Sequence, residues 1–215
     1  MSFLIDPYRF AAAAAGSTLV YRGVFGSSTA TTISTSSIDI GPASGTRLVI
    51  VTDGHTRSTA TSRQISSGAI DGSAATIAVQ TVPNGTSGAG AGILYRAVTS
   101  GGLITISVTL NGLPSTHNAA VYTLEGYASA TPSDTASALG NDAATAIDFP
   151  SLGAVVGVTT NNGGAVVTWT GLATVNVTTG GRSHASSSNT TAGSNVAVSV
   201  SSAASDEALA VAAWL

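Results

Sequence analysis

LITISVTL, Leu103–Leu110, is the stretch from which the rest of the chain can be read. Ile104, Ile106, Val108 and Leu110 alternate with Thr105, Ser107 and Thr109, and a period of two puts the apolar set on one strand face and the hydroxyls on the other. The alternation recurs at Ile77/Val79, Val175/Val177 and Val196/Val198/Val200. RLVIV, Arg47–Val51, differs: a continuous β-branched run predicts a central strand covered on both faces. Residues that tolerate positive φ punctuate the runs, at Asp71-Gly72, Asn84-Gly85, Asn111-Gly112 and Asn161-Asn162-Gly163-Gly164. Many short strands at close spacing predict an all-β fold, an antiparallel β-sandwich of jelly-roll-like form with an N-terminal extended arm.

The strands expected from this pattern are 17–25, 31–40, 46–53, 63–70, 75–82, 91–98, 103–110, 119–125, 144–149, 153–160, 165–170, 173–178, 195–202 and 207–214. Ser129–Ala146, rich in Pro, Ser, Asp and Ala, reads as the long crossover that a Greek key or jelly roll requires. Ala11–Ala15 has high helix propensity but ends at Gly16, so it makes at best a turn or two, or an extended linker. The expected organisation is an anchoring arm with an Ala-rich linker over 1–16 and one β-sandwich domain over 17–215.

Composition narrows the function classes. A chain of 215 residues can bury around 70% of its unfolded surface without staples, and the absence of cysteine removes disulfides and the usual zinc cluster. Charged residues make up 8% of the sequence, against about 25% in an ordinary domain, and all seven basic residues are arginine. A net charge of −3 argues against a nucleic-acid partner, which requires a basic stripe to neutralise phosphates. Mean hydropathy is +0.36, yet Ser, Thr and Gly interrupt every segment well short of the ~18 apolar residues of a membrane helix. No membrane partner is expected. Asp6 occupies the place of a positive n-region, so residues 1–16 are read as mature protein and not as a secretory signal.

A search for catalytic chemistry returns little. His55, His117 and His184 lie far apart, each in a polar Gly/Ser/Thr/Asn setting, and read as surface-loop histidines. Asp53 and His55 are a geometrically possible pair, since residues two apart share a strand face. Glu125 and Glu207 are the only glutamates, and nothing favours a glycosidase pair, while Asp134, Asp142 and Asp148 lack calcium-loop spacing. GTSGAGAG, Gly85–Gly92, has neither a Walker lysine nor GxGxxG spacing. No catalytic residue, metal site or cofactor is expected. Trp169, Trp214, Tyr95, Tyr122 and Tyr127 would suit a sugar-stacking platform, but Trp214 ends an apolar strand and Tyr122 alternates with Val121, which favours core packing.

The succession TRLVIVTDG, QISSGAIDGSAATIAVQ, GAGILYRAV, LITISVTLNG, AAVYTLEGYASATPSDTAS, TWTGL and EALAVAAWL, spanning Thr46–Leu215, resembles a β-sandwich module of virion structural proteins from tailed bacteriophages and alphaproteobacterial prophages. FLIDPYRF is similar to the start of many small phage structural proteins. The resemblance implies a non-enzymatic structural component of a virion, assembled in the host cytoplasm: a capsid decoration or head fibre, or a tail-associated protein. Its partners would be other virion proteins and copies of itself.

The opening segment supplies its own argument. Phe3, Leu4, Ile5, Tyr8, Arg9 and Phe10 crowd the bulky anchors of an aromatic-poor chain into one short stretch, the composition of an interface hot spot. Each large apolar side chain contributes about 1.5–3 kcal/mol when fully buried, so these residues are the expected partner-binding set, with Arg9 offering a carboxylate contact. The alternative is an arm folded back on its own sandwich as an extra strand. A competing reading of the whole chain is a carbohydrate-binding module that recognises host surface glycans. A weaker one is a hydrolase using Asp53 or Glu125.

Overall fold

Alternation becomes strand pairing, and the pairing repeats. The computed structural model describes residues 16–58, 63–82, 87–204 and 206–215. The arm, with Phe3, Leu4, Ile5, Tyr8, Arg9 and Phe10, and the Ala11–Ala15 linker lie outside the described residues. The first half contains β1 (Thr18–Ser28), β2 (Thr32–Asp39), β3 (Arg47–Thr56), β4 (Ile65–Ile70), β5 (Ser73–Ala74), β6 (Thr76–Gln80), β7 (Ala89–Ala97), β8 (Leu103–Leu110) and β9 (Thr116–Glu125). The second contains β10 (Asp134–Gly140), β11 (Ala144–Phe149), β12 (Ala154–Asn161), β13 (Thr168–Thr170), β14 (Thr174–Thr179), β15 (Arg182–Ser188), β16 (Gly193–Ser201) and β17 (Glu207–Trp214).

In the first half, a sheet in the order β1-β9-β3-β7-β6 faces a sheet in the order β2-β8-β4-β5. In the second, β10-β17-β12-β15-β14 faces β11-β16-β13. The halves match strand for strand: β10, β11, β12, β13, β14, β15, β16 and β17 take the places of β1, β2, β3, β4, β6, β7, β8 and β9, and only the short β5 has no counterpart. With β5 left out of the count, each half is wound as a jelly roll, its first, eighth, third and sixth strands side by side in the larger sheet.

The larger sheets pack against each other. Ile33, Ile38, Val49, Val51, Leu94, Ile106, Val108 and Val121 fill the first sandwich, and Ile147, Val155, Leu172, Val198, Val200 and Val211 the second. Between them Leu48, Ile50, Ile93, Tyr122, Leu124, Val156, Val158, Ala210, Ala212 and Trp214 form a middle core. Among the described residues, then, four sheets enclose three cores, where the sequence suggested one sandwich over 17–215. This layering explains the continuous runs: β3, β12 and β17 are buried along their whole length because both faces meet a core.

Besides the two-residue β5, two strands escape the sequence pattern. β10 lies inside the expected crossover Ser129–Ala146; its alternation is carried by alanine, serine and leucine, and its pairing with β17 makes it a strand. β15, RSHASSS, contains no aliphatic residue larger than alanine, yet six of its seven positions are buried between β12 and β14. Elsewhere the polar residues after Thr52 and before Ala119 continue β3 and β9 instead of starting loops.

Candidate functional site

All three cores turn polar at one end of the stack. On β3, Val49 and Val51 point into the first sandwich, and the same face continues with Asp53 and His55; on β9, Ala119 and Val121 are preceded by His117. The pairing register sets His55 opposite His117. The two rings stand edge to face, 6.1 Å apart, with Asp53 between them. His55 Nδ1 donates to Asp53 Oδ2 at 2.9 Å, and His117 Nε2 donates to Asp53 Oδ1 at 2.7 Å. The remaining ring nitrogens face backbone carbonyls, His55 Nε2 that of Arg63 at 2.6 Å and His117 Nδ1 that of Ala30 at 3.4 Å. Gly90 makes room for this: a Cβ there would stand 2.1 Å from His55 Nε2.

All three groups are buried. Burial alone would raise the Asp53 pKa, but the charge and hydrogen bond of His117, with His55 in support, bring it down to about 2. Burial also works against a charged His117, and Asp53 outweighs it, holding the imidazole above its ordinary value. General-base catalysis or metal ligation requires an imidazole lone pair, and here every ring nitrogen points at an oxygen acceptor. Such an arrangement ties β3 to β9 and closes the core.

The middle core has its own polar end. Thr52, Gly54 and Asn118 face across to Thr160, Arg182 and His184. The Thr52 hydroxyl donates to the Ala120 carbonyl at 3.4 Å and receives His184 Nδ1–H at 2.8 Å. His184 Nε2 therefore carries a lone pair, and it has no partner among the described residues. Burial pushes the His184 pKa down to about 4, so the ring is neutral at pH 7. Asn118 Oδ1, Thr160 Oγ1 and the Nε and Nη1 groups of Arg182 are likewise buried and unpartnered. Burial also depresses the Arg182 pKa. A Cβ on Gly54 would lie 2.6 Å from Thr160 Oγ1 and 3.3 Å from Arg182 Cγ, so a glycine is what lets the arginine stem cross β3.

Outward from this layer a cleft of about 520 Å³ opens between the halves. Thr56, Ser58, Ser115 and Thr116 line it from the first half, and Asn161–Gly164 and Gly180 from the second. Thr56 and Thr116 share a hydrogen bond of 2.5 Å on its wall.

The expectation of surface-loop histidines is overturned: His55, His117 and His184 are 1%, 0% and 0% exposed, because extended pairing carries their segments into the sheets. Asp53 and His55 do meet, and His117, from a segment not linked to them in the sequence reading, completes the group. Glu125 does not join them. It lies at the far end of β9, paired at 2.9 Å with the buried Arg47, whose guanidinium also holds the carbonyls of Pro42 and Ser100. Trp214 and Tyr122 are buried in the middle core, Tyr95 packs edge-on against Trp214, and Trp169 rests on the second sandwich with Nε1 on Ser183 Oγ. Arg182 was missed; its place two residues before His184 on one strand face was its only trace. Among the described residues no three His, Cys, Asp or Glu side chains are grouped to hold a metal ion. Compared with protein-family models and with curated proteins, the chain finds no match.

Proposed function

We propose that this chain is a non-enzymatic structural protein of a virion, an accessory component of a tailed-phage particle held to its neighbours through the N-terminal segment. The observation that carries the reading is the chemistry of the two outer sheets. Their strands contain two charged residues among those described, Asp39 and Asp148, and each carboxylate accepts a backbone amide, that of Gly41 and that of Asn195. The remaining exposed positions are mostly hydroxyls and small side chains, among them Thr32, Ser34, Thr105, Ser67, Thr168 and Ser201. A surface of this kind is wetted by water, yet it can be covered by a neighbour without burying a charge, which costs several kcal/mol. The sealed Asp53 group adds support, since its imidazoles are committed to holding strands together. Jelly rolls also recur in capsid proteins, an analogy of fold and not of site.

Removing residues 2–10 tests the reading. The truncated chain is expected to keep the far-ultraviolet circular dichroism and unfolding midpoint of the full chain while failing to co-sediment with assembled particles. Normal incorporation without that segment would remove its assigned role, and hydrolytic turnover abolished by Asp53→Asn would overturn the non-enzymatic reading.

A further inference from the structure

Arg182 is a charged side chain without a counter-charge. It is 4% exposed, forms no ion pair among the described residues, and leaves Nε and Nη1 unpartnered. Its neighbours do not supply the missing negative charge. Thr160 and Thr179 flank it in the sheet, Gly54 covers its stem, and His184 beside it is neutral. Of the carboxylates at this end of the stack, Asp53 already lies between His55 and His117, and Glu207 accepts from the Ala143 amide and the Ser202 hydroxyl. A buried, unpaired cation is costly, and proteins retain one where something completes it.

The guanidinium points toward the cleft between the halves. Nη2 lies 3.0 Å from where a Cβ on Gly180 would stand, and Gly180 lines that cleft. On β3 the face that carries Gly54 over the arginine stem continues to Thr56, on the cleft wall. Among the described residues the lining is hydroxyls, amides and glycine backbone, with no carboxylate in it. Asp206 belongs to the adjoining hollow of about 330 Å³, and its Oδ2 accepts the Gly88 amide.

We propose that this cleft is a binding site for a small oxyanion, a carboxylate or a phosphate, with Arg182 as the charge that selects it, and the Ser58 hydroxyl and the one free O–H of the Thr56–Thr116 pair as further donors. An oxyanion reaching Nη2 supplies the negative charge that Arg182 lacks, and charge-assisted hydrogen bonds to a guanidinium are the strong ones. The site does not rest on the virion reading; it would serve any role of the chain.

Sodium phosphate and sodium glucuronate, each titrated calorimetrically into the full chain at constant ionic strength with chloride as the control, distinguish the two sources. Saturable binding of either is expected, and the anion that binds names the source. Arg182→Gln should weaken it by about tenfold or more, the scale of one charge-assisted contact. Because loss of a buried arginine can unfold the chain, Ser58→Trp provides the second test: Ser58 is exposed on the cleft rim, and an indole there blocks entry without touching a core. Binding lost in Ser58→Trp with an unchanged unfolding midpoint supports the site. No saturable response to either anion in the unmodified chain, or binding undiminished in Ser58→Trp, overturns it.

Discussion

His55 stands opposite His117 in the first sandwich where Asn161 stands opposite Glu207 in the second, at the same end of the equivalent strand pair. Around the histidines the closure is ionic, a carboxylate shared by two rings. In the second half, Asn161 takes both the amide and the carbonyl of Ala165, while Glu207 accepts from the Ala143 amide and the Ser202 hydroxyl. One winding therefore tolerates two chemistries at its polar end. The rule they share is that each buried polar group in these closures has a partner. The middle layer departs from it: β15 brings Arg182 and His184 to positions where β7, its counterpart, carries Ala91 and Ile93.

The comparison breaks most visibly at Asp53. Asp53→Ala leaves two buried imidazoles without their shared acceptor and is expected to destabilise by about 3–5 kcal/mol, read from urea unfolding midpoints. Glu207→Ala, which strands an amide and a hydroxyl but no charge, should cost about 1–3 kcal/mol in the same measurement. Equal losses would mean that a closure with two imidazoles on the carboxylate is no stronger than one with an amide and a hydroxyl. Gly54→Ala pushes a methyl against Thr160 and the Arg182 stem, an overpacking of about 1–3 kcal/mol; an unchanged midpoint would show that the two halves do not approach as closely as described.

Acidity sharpens the contrast, because the buried groups act with opposite signs. His117, raised by Asp53, contributes stability that is present below its unfolded value near 6.5 and is lost as pH rises through its folded value. His184, lowered to about 4, does the reverse: the fold resists its protonation, so stability falls as pH drops from near 6.5 through about 4. Asp53, lowered to about 2, contributes above its unfolded value near 3.9 and is lost as pH falls toward 2. Unfolding midpoints taken from pH 6.5 to pH 2 should therefore decline in two acid steps, and His184→Gln should remove the first while leaving the second. A single acid step in the unmodified chain would contradict the assignment of a neutral, buried His184. The smallest effect is expected on the outer face: Thr32→Val, which breaks an exposed hydroxyl pair with Thr109 at 2.9 Å, should change stability within about 0.5 kcal/mol.

Much of the fold was legible wherever alternation was carried by Ile, Leu and Val. LITISVTL is β8 with the same bounds, and RLVIV is the centre of its sheet. β10 and β15 were not legible, since alanine and serine carry no preference strong enough to read without their partners. Of the candidate site, only the Asp53–His55 pair showed, through its spacing of two. His117 and Arg182 reach the same end of the stack through strand register, which joins residues far apart in the chain.

By itself the sequence determined that the chain is all-β, which positions lie on apolar faces, and that charge is scarce, because these follow from local periodicity and composition. Tertiary structure alone decided that one pattern closes twice into matching jelly rolls, that their larger sheets share a core, and that histidines in polar segments end up buried. The physical reason is that a strand's period says which side chains share a face, while only pairing and stacking say what that face meets.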